Sequence, residues 1–162
     1  MTVVANLLVE GVPVLIGDTV ITSSDPSAVS ITVPTIKTLP PLRRPITGFC
    51  RKVYIIEKRL VVAWTGSLLK AVQLIPSLRK HIKKHGMAEG ELQAFLSSYQ
   101  FPVQGGGVLR LVGWIAEREP RPFWWSTEYP GEIVYDEHDI EGSGTAFFVN
   151  PSFQDTVSKV RV

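Results

Sequence analysis

The apolar residues of this chain fall into short runs that come in pairs, and that pairing limits the folds open to it. Val3, Val4, Leu7, Leu8 and Val9 lead to Glu10-Gly11, then to Val12, Val14, Leu15 and Ile16. Val53 to Ile56, a turn at Glu57-Lys58-Arg59, and Leu60 to Trp64 repeat the arrangement. Residues 108–119 and 122–128 form a third pair, and residues 132–137 a weaker single run. Each pair predicts an antiparallel hairpin. Nearly continuous apolar content between Val3 and Ile16 predicts strands buried on both faces, with Pro13 at the strand start or an unpaired position.

Between the second and third pairs lies a helical pattern. Leu68, Leu69, Val72, Leu78 and Ile82 recur at near-helical spacing, and Lys, Arg and His crowd the end, where the helix dipole favours cations. Pro76 is expected to kink or interrupt this helix, and Gly86 to end it. Residues 88–99 predict a shorter second helix, and residues 145–160 a helix-like tail. Strands in pairs with helices between them give an α+β fold of antiparallel layers, not a parallel βαβ sheet.

Residues 22–49 differ, holding five of the twelve prolines. They predict an irregular Pro-rich loop at about 23–49 with a short strand at 29–33, and loops of this length usually serve function. A total of 162 residues, 44% of them hydrophobic, suits one domain over 1–162 with a real core and excludes general disorder. Seventeen Lys and Arg against fifteen Asp and Glu give no strongly basic surface, so no nucleic-acid partner is expected. The start of the chain lacks a basic signal-peptide region and meets Glu10 and Asp18 early, so no membrane segment is expected. Cys50 stands alone, which excludes an internal disulfide and fits a cytoplasmic setting.

Among residues able to carry chemistry, Thr2 comes first. Loss of Met1 would leave its α-amine, with an ordinary pKa near ~7.7–8.0, beside its hydroxyl as nucleophile and base. The first hairpin returns Asp18 to the neighbourhood of Thr2. Other groups weigh less. His81 and His85 stand i,i+4 in a Lys-rich helix end and read as a solvated face. Asp136-Glu137-His138-Asp139 reads as a polar turn. Gly105 to Gly107 lack the Lys-Ser/Thr of a phosphate loop, so neither phosphate, metal nor any other cofactor is expected. Phe123, Trp124, Trp125 and Trp114 allow an exposed aromatic patch, although strand alternation puts at least one Trp in the core.

The runs MTVVANLLVEGVPVLIGDTVIT, RKVYIIEKRLVVAWTGSLLKAVQLIPSLRK and EGSGTAFF together resemble proteasome β-subunits and the bacterial HslV-type N-terminal nucleophile (Ntn) hydrolases. The resemblance implies an αββα sandwich of antiparallel sheets and a threonine peptidase. It matches the nucleophile to Thr2, the acidic residue after the second strand to Asp18, and a following threonine to Thr22. It matches the lysine opening the third strand to Lys52, the oxyanion-hole glycine to Gly66, and the serine supporting the N-terminal amine to Ser143. Thr22 would hold substrate peptide; Lys52 would favour the Thr2 alkoxide, with Asp18 orienting it. Residues 19–51 make a longer connection between Asp18 and Lys52 than the family uses, with Lys37 as the other candidate for the lysine. Only residues 144–162 follow Ser143, so the fold is expected to be C-terminally abbreviated, with Asp155 and Ser158 too early for the family's late Asp/Ser pair.

The function implied is hydrolysis of peptide bonds by Thr2 in a ring-like homo-oligomer, with peptide or unfolded protein as substrate and an ATP-dependent unfoldase as a possible partner. Two alternatives are an inactive assembly or binding module of the same fold, and an amidohydrolase acting on a small amide.

Overall fold

A computed structural model describes residues 4–9, 11–31, 45–87, 90–103, 105–116, 119–135 and 139–141. The strands are β1 (Val4–Val9), β2 (Val12–Gly17), β3 (Val20–Thr22), β4 (Ile46–Phe49), β5 (Val53–Glu57) and β6 (Leu60–Gly66). Helices α1 (Leu68–His85) and α2 (Glu91–Ser98) follow. The chain then forms β7 (Leu109–Ala116), β8 (Pro120–Ser126), β9 (Ile133–Val134) and β10 (Asp139–Glu141). Every strand pairing described is antiparallel, and the fold is α+β.

The five-stranded sheet, in the order β5-β6-β7-β8-β9, is the centre of the molecule. Its side chains alternate between two faces, as the pleat requires. Leu60, Val62, Trp64, Leu109, Leu111, Phe123 and Trp125 face one way and pack against the buried stripe of α1: Ala71, Leu74, Ile75, Leu78 and Ile82. Leu92 and Leu96 of α2 close the same core. The other face presents Ala63 and Val112 to Val4 of the three-stranded sheet, which runs in the order β10-β1-β2, with Leu15, Val53 and Trp124 around them. Two polar contacts fasten the sheets: Asn6 Nδ2 donates to the Gly113 carbonyl at 3.1 Å, and Trp114 Nε1 to the Val14 carbonyl at 3.3 Å. The described residues therefore stack as helices, sheet, sheet. β3 and β4 form a separate two-stranded sheet.

Helix α1 is well defined at both ends. Ser67 Oγ accepts the Lys70 amide at 3.2 Å, and the Gly86 amide donates to Ile82 at 2.8 Å, so Gly86 ends the helix as expected. Pro76, by contrast, does not break the helix, which runs unbroken from Leu68 to His85. It sits on the exposed side, where the lost amide hydrogen removes one bond to Val72, while the apolar stripe beneath holds the helix to the sheet.

Three other expectations change. Residues 29–31 form no strand, and the segment is instead bounded by β3 and β4, whose pairing aligns Val20 with Phe49. Asp139 does not close a polar turn; it opens β10, which pairs with β1. The aromatic residues form no exposed patch: Trp114, Phe123 and Trp125 are buried, and adjacent Trp124 and Trp125 point to opposite faces of the sheet. In the first hairpin Val4 and Ala5 are buried as expected, while Val12 and Ile16 of β2 are exposed. The helix-like tail, Lys37, His138, Asp155 and Ser158 lie outside the described residues.

Gly113 is where the central sheet is tightest. A Cβ there would run into the Val61 carbonyl and lie 3.0 Å from the Phe123 ring. Gly113→Ala should lower stability by about 1–3 kcal/mol, the usual cost of overpacking a core, as read from urea unfolding.

Candidate functional site

The site forms where the end of β2 crosses the start of β5. Gly17 makes the crossing possible: a Cβ on it would stand 2.8 Å from Val53 Cγ2 and 3.6 Å from Lys52 Cβ. The next residue is Asp18, and the close approach sets its carboxylate over Lys52. Asp18 Oδ1 accepts the Val20 amide at 3.1 Å, a local turn that fixes the side chain. The same oxygen accepts the Lys52 ammonium.

Lys52 is 1% exposed, an uncommon place for an ammonium. It donates to the Asp18 carboxylate and to the Val20 carbonyl, and lies 5.8 Å from the centre of the Trp64 ring. These three contacts replace much of the hydration that burial removes. Trp64 is fixed in turn, its Nε1 donating to the Arg51 carbonyl at 3.3 Å and its amide to the Lys52 carbonyl at 3.2 Å.

Gly66 lies two residues beyond Trp64, where β6 ends and α1 begins. Its φ of +85° suits glycine, and a Cβ would collide with the Val108 carbonyl. That carbonyl accepts the Ser67 amide at 2.8 Å, so strand end and helix cap form one rigid corner. Thr22 is half-buried at the end of β3, beside an irregularity in the pairing with β4. It stands two residues from Val20, whose carbonyl Lys52 grips.

The structure thus brings Asp18 into contact with Lys52 and sets Gly66 at the strand-to-helix corner. Thr2 and Ser143 lie outside the described residues. Sequence reasoning missed the Val20 carbonyl and the Trp64 ring as partners of Lys52. The apolar run ending in Trp64 was the available signal, since an antiparallel hairpin turning at residues 57–59 returns Trp64 beside Lys52.

His85 is exposed, as expected of a solvated helix end, but His81 is not simply solvated. His81 is half-buried, pairs with Glu91 of α2 at 2.5 Å, stacks on His85 and meets the Phe95 ring in a tilted contact, joining the two helices. Among the described residues, no group of three or more His, Cys, Asp or Glu side chains is placed to hold a metal ion. No described helix is long and apolar enough to cross a membrane.

No protein-family model matches the sequence, and the curated proteins searched contain no match to it.

Two outcomes follow from this geometry. Asp18→Asn leaves a buried ammonium without its counter-charge and should cost about 3–5 kcal/mol, whereas Asp18→Asn with Lys52→Met should recover much of the loss in denaturant unfolding. The second concerns Cys50, whose thiol is pushed up by burial and further by the Asp18 charge, against the opposing pull of Lys52. A raised thiol pKa means less thiolate at a given pH. Alkylation of folded Cys50 should therefore lag behind that of the unfolded chain at neutral pH and approach it as pH rises.

Proposed function

We propose that this chain is a proteasome-like N-terminal nucleophile hydrolase, a threonine peptidase that works as a homo-oligomer on peptide or unfolded-protein substrates. The observation that carries the proposal is the register at Val4. Val4 pairs with Gly17 on one side and with Glu141 on the other. Thr2 precedes Val4 by two residues, Asp18 follows Gly17, and Ser143 follows Glu141 by two. In antiparallel strands these continuations all run toward the same end of the sheet. Two residues of chain span no more than about 7 Å, so the proposal asks for no long reach from Val4 to the nucleophile. Lys52, buried against Asp18, supplies a cation at this end of the sheet.

The layer order of helices, sheet and sheet supports the αββα reading, in which a further helical layer would cover the outer face of β1 and β2. Exposed Val12 and Ile16 on β2 fit a face that awaits such cover.

In the proposed reaction Thr2 Oγ1 attacks the substrate carbonyl carbon and its proton passes to the free α-amine. The ammonium of Lys52 lowers the energy of the developing alkoxide, and Asp18 holds that ammonium in place. The carbonyl oxygen gains negative charge and is stabilised by the Gly66 amide at the strand-to-helix corner. Collapse breaks the C–N bond; the leaving amine takes the proton from the α-amine, and an ester on Thr2 remains. Water, deprotonated by the same amine, hydrolyses that ester and restores the hydroxyl. Ser143 supports the amine, and Thr22 aligns the peptide backbone.

Intact-mass measurement of the purified protein tests this directly. The native chain should lack Met1 and gain one equivalent of a peptide epoxyketone, which needs both the hydroxyl and the free amine of Thr2. Thr2→Ala should take up none. A chain that keeps Met1 and stays unlabelled overturns the proposal and favours an inactive assembly module of the same fold.

A further inference from the structure

Helix α1 and the edge strand β5 border a groove of about 450 Å³, a size common among small-molecule sites. Its floor is apolar: Ala71 and Ile75 are buried, and Tyr54 of β5 lies half-buried beside them. Its helix wall is the stripe Val72, Pro76, Arg79 and Lys83, in which neighbours stand one turn apart. Val72 is 56% exposed, so this wall leaves apolar surface in water. Pro76 is exposed as well. A proline is costly inside a helix, and at an exposed position the core gains nothing from it. In the groove it supplies a smooth apolar ring.

The stripe changes character along the helix axis. Val72 and Pro76 make the apolar part, and Arg79, Lys80 and Lys83 the cationic part. At a rise of about 1.5 Å per residue, Val72 and Lys83 stand about 16 Å apart along the axis. Residues 68–85 include no Asp or Glu. Among the described residues none of the three cations has a carboxylate partner. The carboxylate of β5, Glu57, is engaged by Arg59, whose amide it accepts at 3.0 Å. The cationic end therefore holds positive charge that no described side chain neutralises.

The sheet edge beside the groove is closed to an incoming strand. Arg79 donates to the Ile55 carbonyl at 3.1 Å and so occupies an acceptor that a peptide would need for ladder pairing. A guest with no backbone of its own meets no such obstacle. It needs an apolar body for the floor and one anionic end for the cations.

We infer that the α1–β5 groove binds a single-chain carboxylate, with its hydrocarbon chain over Tyr54, Val72 and Pro76 and its carboxylate among Arg79, Lys80 and Lys83. The apolar part provides affinity in proportion to the chain buried, and the cations fix which way the chain lies. The inference goes beyond the proposed peptidase activity and is independent of Thr2.

Calorimetric titration with decanoate tests it. The wild-type chain should bind one equivalent. Burial of a methylene is worth up to about 4-fold in affinity, so hexanoate should bind at least ~10-fold more weakly than decanoate. Decanol, of equal chain length but uncharged, should also bind more weakly. Lys80→Ala with Lys83→Ala should weaken decanoate about 5-fold and leave decanol unchanged. Val72→Glu, at an exposed position, should abolish decanoate binding with far-UV circular dichroism unchanged. Bound decanoate should protect Lys80 and Lys83 from acetylation but not Lys70, which lies over the Phe101 ring. Absence of saturable decanoate binding overturns the inference. So does binding that Val72→Glu leaves intact, or equal affinity for decanoate and decanol. A groove that takes an acidic apolar peptide and refuses decanoate overturns it too. Epoxyketone labelling of the same samples reports on Thr2 separately, so either idea can fail alone.

Discussion

A single buried cation organises the end of the molecule where β2 meets β5. Moving an ammonium out of water costs several kcal/mol even after relaxation, so a side chain as enclosed as Lys52 is tolerated only where its hydration is replaced. Here the replacement comes from two parts of the chain: the Asp18 carboxylate and Val20 carbonyl of one segment, and the Trp64 ring face of β6. Each partner has its own support. Gly17 lets β2 lie against Val53, the Val20 amide pins Asp18, and the Arg51 carbonyl holds the indole. A hydrophobic residue at position 52 would meet the needs of packing more cheaply. The proposed function gives that charge a use.

The central sheet gives the site its rigidity. Its helix-facing side carries the larger core, so α1 and the strand-to-helix corner at Gly66 are held by Leu74, Leu78 and Trp64 beneath them. The other side carries a smaller cluster around Val4, Ala63 and Val112, with Asn6 and Trp114 as polar ties. The start of β1 thus packs directly on the sheet that bears Lys52 and Gly66. Movement of the corner relative to the buried ion pair would disturb both cores at once.

The hairpins were legible because their apolar runs are long and their turns are short, and the same is true of α1. The short strands were not. β10 and β3 are three residues each, and a period of two cannot be read from so few positions. Their partners depend on register, which only tertiary packing sets. Pro76 misled because local stereochemistry opposes a helix that the stripe from Ala71 to Ile82 enforces. At the site, Asp18 and Lys52 were legible as a pair only through resemblance to a family. The indole and the Val20 carbonyl were hidden for the same reason as β3: nothing local announces a ladder partner. His81 was misjudged because its partner Glu91 belongs to the next helix.

The central claim is that Lys52 acts on a nucleophile at the start of the chain and does not merely hold two strands together. The most direct measurement is the second-order rate of epoxyketone labelling for the wild type and for Asp18→Asn with Lys52→Met, in which neither charge remains buried. With the fold intact by circular dichroism, the double variant should label at least ~100-fold more slowly, as expected when an electrostatic stabiliser is removed from a reacting centre. Labelling of the double variant at the wild-type rate would contradict the account and leave the ion pair a structural role alone.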